Sequence, residues 1–292
     1  MNIIQEKFRL RFSAVDPSDR LTLASTLDLF QEIASDHAED LGVGREAMSV
    51  TGQVWILSRI SVQWDRRPKW RDSLTVRSWP RGSDKLFALR DYDIRDEEDR
   101  PLVRGRSGWI ILDLEKRRPL RPQAVMENLP RNDGLDALPD GPTSLSFPGE
   151  EENGSVIQGV QGVKAVKAGE RRAAYSDIDY NGHVNNTRYI EWLQDIVEPG
   201  VLERAARMRL DVNYLSEVKP GGTVELWMTP LPVRTEQSPE PDAAGAADAA
   251  GLAGIAAGAF NPQRAYAFEG RRAEGGQAVF RAELRVQDDP VQ

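Results

Sequence analysis

The feature that most constrains this chain is a repeated order: an apolar-striped helix followed by strands that alternate apolar and polar residues, met twice. The first helix is expected over residues 26–41. Leu27, Phe30, Ala34, Ala38 and Leu41 recur there at three- and four-residue spacing, with Ser25 placed to cap the helix and Gly42 to end it. The second is expected over 187–197. Tyr189, Leu193, Ile196 and Val197 form its stripe, Asn185 or Asn186 can cap it, and Pro199 with Gly200 ends it. Between them, Val54, Ile56, Ile60, Val62 and Trp64 alternate with polar Arg59, Ser61 and Gln63, which reads as a half-buried strand. Strands at 74–79, 87–94 and 105–112 follow, and Ala278, Phe280, Ala282, Leu284 and Val286 repeat the alternation near the C-terminus.

Direct superposition supports a duplication. A shift of 163 carries Asp16 onto Asp179, Thr26 onto Tyr189 and Gln31-Glu32 onto Gln194-Asp195, and a shift of 150 carries Val62 onto Val212, Lys69 onto Lys219 and Val76 onto Leu226. Identities are few, but the apolar pattern holds. A lone antiparallel sheet must cover its apolar face, and one long helix lying across it does so. The expected fold class is therefore α+β, a tandem or double hotdog, each half a sheet wrapped around one helix.

Residues 1–129 and 155–292 are expected to form the two domains. Residues 130–154, with Pro139, Pro142 and Pro148 at short intervals, read as a structureless linker. Residues 235–262 read as a flexible insertion, because its core, 243–259, holds ten Ala and four Gly in seventeen positions.

There is no cysteine, so disulfides, thiol nucleophiles and Cys-ligated zinc are excluded. The opening MNIIQEKFRL lacks the apolar core of a secretory signal, and no apolar run is long enough to span a bilayer. A cytoplasmic location is expected. The net charge of -8 argues against a nucleic-acid binder. Residues 53–121 nonetheless hold 17 Lys/Arg against 11 Asp/Glu, a local +6 that could meet an acidic partner or be a solvated sheet face.

The densest polar stretch is Ser176-Asp177-Ile178-Asp179-Tyr180-Asn181-Gly182-His183-Val184-Asn185-Asn186, just before the second helix. Such clusters are often simple turns. This one also offers a titratable imidazole in His183, a carboxylate in Asp179, an amide in Asn181 and a helix start that can stabilise a developing oxyanion. One His with no second His or Cys nearby is a poor zinc set. The other histidine, His37, reads as a structural residue of the first helix. On the superposition the first copy has Arg20 for His183, Ser18 for Asn181 and Arg67 for Glu217, so one active half is expected.

The run Asp179 to Tyr189 resembles the D-x-N-x-H-V-N-N-x-x-Y signature of acyl-acyl-carrier-protein thioesterases, double-hotdog enzymes of bacteria and plant plastids. Trp55–Arg59, Arg77–Pro80, Arg106–Asp113 and Tyr214–Val218 resemble further segments of that family. The resemblance implies catalytic roles for Asp179, Asn181, His183 and Glu217, and hydrolysis of fatty acyl-acyl carrier protein that ends fatty acid synthesis. It implies no metal or cofactor, and an acyl pocket in the first copy that Trp55, Trp79 and Trp109 could line. Plant members have Cys after the Glu; Val218 stands there here, so a carboxylate must carry the mechanism. Expected is an acyl carrier protein as partner, met through Arg66, Arg67, Lys69, Arg71, Lys116, Arg117 and Arg118, with no nucleic acid and no membrane span, in a monomer or homodimer. The alternatives are an acyl-coenzyme A thioesterase on the same fold and a non-catalytic acyl-binding module.

Overall fold

A computed structural model describes residues 2–122, 125, 129–148, 151–152, 155–156, 164–233 and 260–288. The first half runs β1 (Ile4–Arg9), α1 (Leu23–Asp40), α2 (Arg45–Val50), β2 (Gln53–Trp64), β3 (Ser73–Asp84), β4 (Phe87–Arg95), β5 (Pro101–Asp113) and β6 (Arg118–Leu120). A short hairpin, β7 (Glu151–Glu152) and β8 (Ser155–Val156), follows. The second half runs β9 (Val166–Arg172), α3 (Asn186–Ile196), α4 (Pro199–Glu203), β10 (Ala205–Tyr214), β11 (Thr223–Pro230), β12 (Arg264–Arg272) and β13 (Ala278–Asp288).

The strands form one sheet in the order β1-β3-β4-β5-β2-β10-β13-β12-β11-β9, with β6 beside β5. Each half contributes the same order, read outward from the centre. β2 and β10 join the halves: Ile60 pairs with Val212 and Val62 with Leu210, two pairs that the shift of 150 interchanges. The pair Ser61–Asp211 lies on the pseudo-twofold axis, and Ser61 Oγ donates to Asp211 Oδ1 at 2.6 Å. The two long helices pack side by side on one face, where the Ala24 N–H donates to Gln194 Oε1 at 2.9 Å. Leu27, Phe30, Ile33 and Ala34 of α1 and Tyr189, Ile190 and Leu193 of α3 are buried there with Val62, Trp64, Leu210, Val212 and Leu284. Gly105 lets α1 settle on β5, since a Cβ there would come within 2.6 Å of the Phe30 ring.

The helices fall close to the expected spans, with two differences in detail. Thr22, not Ser25, caps α1: its side chain accepts from the Ser25 N–H, which makes Ser25 the donor three positions inside. In β2 the alternation read from 54 to 64 does not run unbroken. A bulge between Leu57 and Arg59 sets Leu57 opposite Trp109, while Ile60 faces Ser107. Trp109 and Ser107 are two apart on one strand, so Leu57 and Ile60 share the helix-facing side although three apart.

Of the expected structureless linker, residues 130–148 have neither helix nor strand, while β7 (Glu151–Glu152) falls within its span. Residues 130–148 pack on the outer face of the sheet, opposite the helices. Asn132, Leu138 and Phe147 are each 1% exposed. The Ala137 N–H donates to Asp91 Oδ2 at 2.8 Å, and Asn213 both accepts from the Leu145 N–H at 2.7 Å and donates to Thr143 O at 2.9 Å. Prolines limit regular structure here, but they do not prevent burial. Trp79, expected as a possible pocket residue, lies on this outer side, where its Nε1–H donates to Leu135 O at 3.0 Å. Most of the Ala/Gly insertion, residues 234–259, lies outside the described residues. Its flanks sit side by side, with Pro230 opposite Tyr266 and the Leu231 N–H on Ala265 O at 2.8 Å.

Candidate active site

The polar run before α3 forms a tight loop closed by backbone bonds. Ile178 bridges Val184, the Asp179 N–H donates to His183 O at 2.9 Å, and the Gly182 N–H donates to Asp179 O at 3.0 Å. Gly182 takes φ +81, a left-handed turn for which glycine is suited. The loop before α1 has the same wiring at a shift of 163: Val15 bridges Leu21, the Asp16 N–H donates to Arg20 O, and the Asp19 N–H to Asp16 O, with Asp19 at φ 63. In both loops the aspartate Oδ1 accepts the N–H two residues on, from Ser18 at 2.9 Å and from Asn181 at 2.8 Å. The backbone scaffold is thus shared, and the side chains on it differ.

In the second half, His183 Nε2 lies 3.0 Å from Glu217 Oε2. A carboxylate oxygen only accepts, so Nε2 carries the proton and Nδ1 is the ring nitrogen that can take one. Glu217 is brought here because the Val184 N–H donates to Val218 O at 2.8 Å, pinning the segment after β10 to the loop. The His183 and Glu217 side chains are 27% and 61% exposed, within reach of a substrate arriving from solvent. Asn181 Nδ2 lies 3.5 Å from Asp179 Oδ2. All four sequence-derived residues therefore belong to one loop or the segment bonded to it.

In the first half the corresponding place is closed. Arg67 stands where Glu217 does; its side chain is buried, ion-paired with Asp16 and bonded to Leu21 O at 3.0 Å and Leu202 O at 2.8 Å. Burial alone would raise the Asp16 carboxyl, but Arg67 and the Ser18 and Arg20 donors hold it below the usual carboxylate range. A buried, internally satisfied ion pair leaves no free base there.

Several features escaped the sequence reading. The helix start is less open than expected as an oxyanion site, because Asn185 takes the Thr187 N–H with its side chain at 3.1 Å and the Arg188 N–H with its backbone at 3.0 Å. Arg272, at the end of β12, donates to Glu217 O. Tyr180 lies under Arg45 of α2, 4.2 Å from guanidinium to ring centre, so the first half supplies one wall of the loop. Burial holds the Tyr214 hydroxyl protonated well above its ordinary range. Only the tertiary fold brings Arg272 and Arg45 here, and no local pattern marks them. Among the described residues, no group of three or more His, Asp or Glu converges as a metal set.

The basic residues grouped in the sequence separate in space. Arg66, Lys69 and Arg71 follow β2, at the end remote from the Asp179–His183 loop, where they line a cleft with Arg20, Asp72 and Asp96. Lys116 and Arg117 follow β5, beside the start of β2 and α2, with Arg118 opposite Asp113. β2 has 12 residues, so at about 3.3 Å per residue the two clusters are about 40 Å apart. Arg67 also lines that first cleft, although its side chain is buried in the ion pair with Asp16.

Comparison with known proteins accords with this arrangement. Residues 1–129 match the acyl-ACP thioesterase N-terminal domain, and residues 162–246 match the C-terminal domain. An oleoyl-acyl carrier protein thioesterase of Coriandrum sativum chloroplasts is 26% identical over 239 residues, 77% of this chain and 62% of the relative. The chain thus spans about three fifths of the length of the curated relatives it matches first. An acyl-ACP thioesterase from Bacteroides thetaiotaomicron has the same fold, with TM-score 0.67, 22% identity and 98% of both chains covered. So does the 12:0-ACP thioesterase from Umbellularia californica, with TM-score 0.69, 19% identity and 98% of both chains covered. Matched by the family's two domains in the expected order, on a double-hotdog fold, the chain belongs to the acyl-ACP thioesterase family.

Proposed function

We propose that the protein hydrolyses fatty acyl thioesters of acyl carrier protein, releasing the free fatty acid and the carrier thiol, with the second half as the active one. The observation that carries this reading is the His183–Glu217 pair at 3.0 Å on a loop whose twin in the first half is sealed by Arg67 and Asp16. A thioester carbonyl is electrophilic and its thiolate leaves readily, so the site needs a base, an oxyanion donor and a proton for sulfur. Glu217 orients the ring; His183 Nδ1 takes a proton from water as the water oxygen attacks the carbonyl carbon. The C–S bond then breaks, and the imidazolium returns that proton to the departing sulfur. The Asn181 amide donates to the carbonyl oxygen, and Asp179, bonded to the Asn181 N–H and amide, fixes its position. Attack by a carboxylate of Asp179 or Glu217 is the second route open to the same residues.

Support for a carrier protein comes from Lys116, Arg117 and Arg118 at the catalytic end, since an acidic carrier is drawn to such a cluster. The test is to incubate the protein with acyl carrier protein and with coenzyme A, each loaded with the same series of chains, and measure fatty acid release. Release from the carrier thioesters at the higher kcat/KM is expected. Faster release from coenzyme A would move the substrate to that carrier, and no release from either would leave an acyl-binding module.

A further inference from the structure

Each half ties the segment that follows its central strand, β2 or β10, to the end of another strand, β4 or β12, and the two halves do so with opposite chemistry. The strand registers set the correspondence. Val62 pairs with Gly105 and Ile94 with Val103 in the first half; Val212 pairs with Ala282 and Gly270 with Phe280 in the second. Both halves have a register shift at the same place, after Ile94 and after Gly270. Two residues on, Arg272 therefore falls on Asp96. The backbone agrees: the Asp96 N–H donates to Arg100 O at 3.1 Å, and the Arg272 N–H to Gln277 O at 2.9 Å.

In the first half, Arg66 Nη2 donates to Asp96 Oδ2 at 3.1 Å, side chain to side chain. In the second, Ser216 stands where Arg66 does, and the tie runs the other way: the Arg272 guanidinium donates to the backbone oxygen of Glu217. The guanidinium thus takes the carbonyl and leaves the Glu217 carboxylate 3.0 Å from His183 Nε2. Arg67, the twin of Glu217, has its side chain engaged in holding the fold, on Asp16, Leu21 O and Leu202 O. The residues on either side of Glu217 are held at the backbone as well. The Leu215 and Ser216 N–H groups donate to Val279 O at 2.8 and 3.1 Å, and Val218 O accepts the Val184 N–H at 2.8 Å. Arg272 also faces the site. Burial pushes the Tyr189 hydroxyl up, and the charges that act on it are those of Arg272, which lowers it, and of Glu217 and Asp179, which raise it.

We propose that Arg272 is a positioning residue for the hydrolysis: by holding the Glu217 carbonyl it sets the Glu217 carboxylate against His183 Nε2. This rests on the thioesterase reading above. The Glu217 side chain is 61% exposed, so its direction is left largely to its backbone. A hydrogen bond from a guanidinium is about twice as strong as one between neutral groups, and it is directional. With the carbonyl fixed, the carboxylate keeps the proton on Nε2, and Nδ1 is presented to water. Without it the peptide can turn, and a displacement of about 1 Å is enough to cost on the order of 100-fold in rate. The bonds of Leu215, Ser216 and Val218 keep the segment in place, so the fold survives the loss.

The test is a double-mutant cycle on hydrolysis of a carrier thioester by wild type, Arg272→Met, Glu217→Gln and the double variant, with melting temperature as a check on folding. Arg272→Met is expected to lower kcat by about 10- to 100-fold and to change KM little. In the Glu217→Gln background the same replacement is expected to cost about twofold or less, because no carboxylate is left to position. Asp96→Ala, which breaks the twin tie, is expected to leave kcat unchanged. Equal losses in the two backgrounds, an equal loss in Asp96→Ala, or a wild-type kcat in a folded Arg272→Met protein would overturn the proposal. Should Arg272→Met not fold, Arg272→Gln, polar but shorter, takes its place in the cycle with the same outcomes. A second measurement needs no substrate. The chain has two histidines, so its imidazole nitrogen-15 spectrum is simple. Arg272→Met is expected to move the His183 Nε2 signal toward its place in Glu217→Gln and to leave His37 where it is. An unmoved His183 signal in the folded variant would overturn the role of Arg272. Wild type that releases no fatty acid from any carrier thioester would instead sink the thioesterase reading, and the nitrogen spectra would still decide whether Arg272 sets the Glu217–His183 contact.

Discussion

The two histidines of this chain sit in opposite surroundings. His183 is 27% exposed beside an exposed carboxylate, in a place where it can exchange protons. His37 is 2% exposed, and burial followed by the charge of Arg90 pushes it down to about 4 from 6.5, with Asp40 opposing. The folded value lies below the unfolded one, so the neutral ring's contribution to stability is fully present above about pH 6.5. It is lost as the pH falls through that value toward about 4, because the unfolded chain binds the proton first. Replacing His37 by Gln, whose amide can accept from Arg90 and donate to Asn2, should flatten the fall of melting temperature over this window. Melting curves at half-unit pH steps for both proteins check it; parallel curves would show that His37 does not titrate in this way.

At the scale of elements, the segment 130–148 behaves as part of the fold although it has neither helix nor strand. Asn213→Ala removes two hydrogen bonds to it and leaves the Leu145 N–H and Thr143 O without their partner, at a cost of about 1–3 kcal/mol. Deleting residues 240–258 and rejoining the ends should cost far less, because β11 and β12 already lie side by side at Pro230 and Tyr266 and a shorter loop can join them. Denaturant unfolding of the two variants compares these directly, and a deletion that destabilises more than Asn213→Ala would show that the insertion packs on the body. The duplication, both long helices and the five strands β2–β5 and β13 were legible in the sequence, since three- and two-residue periods are local signals. The Leu57–Arg59 bulge was not, because an extra residue shows only when the partner strand is present. Nor was the burial of 130–148, because Pro and Gly report backbone conformation and say little about what covers it.

For the molecule as a whole, the candidate loop was legible because Asp179, Asn181 and His183 sit within five residues, while Glu217 was named only through the family resemblance of Tyr214–Val218. The walls around it were not, because Arg45 and Arg272 come from elements far away in the chain. The same distance effect splits the basic region. Reversing Lys116 and Arg118 to Glu should raise KM for the carrier-linked substrate and weaken its salt dependence, while reversing Lys69 and Arg71, at the far end of β2, should do neither. Steady-state kinetics at two ionic strengths, with a short synthetic thioester as control, separates docking from damage to the fold. Equal effects from both pairs would place the carrier elsewhere.

The central claim is that chemistry resides in the second copy alone, on a loop built like its silent twin. Its most direct test is fatty acid release from an acyl carrier protein thioester by wild type, His183→Ala and Ser18→Ala, the last at the position that matches Asn181. Melting temperatures would show that all three are folded. The account predicts a loss of about 100-fold or more in His183→Ala, as expected for a general acid–base group, and turnover close to wild type in Ser18→Ala. A folded His183→Ala protein that releases fatty acid at a near-normal rate would contradict it.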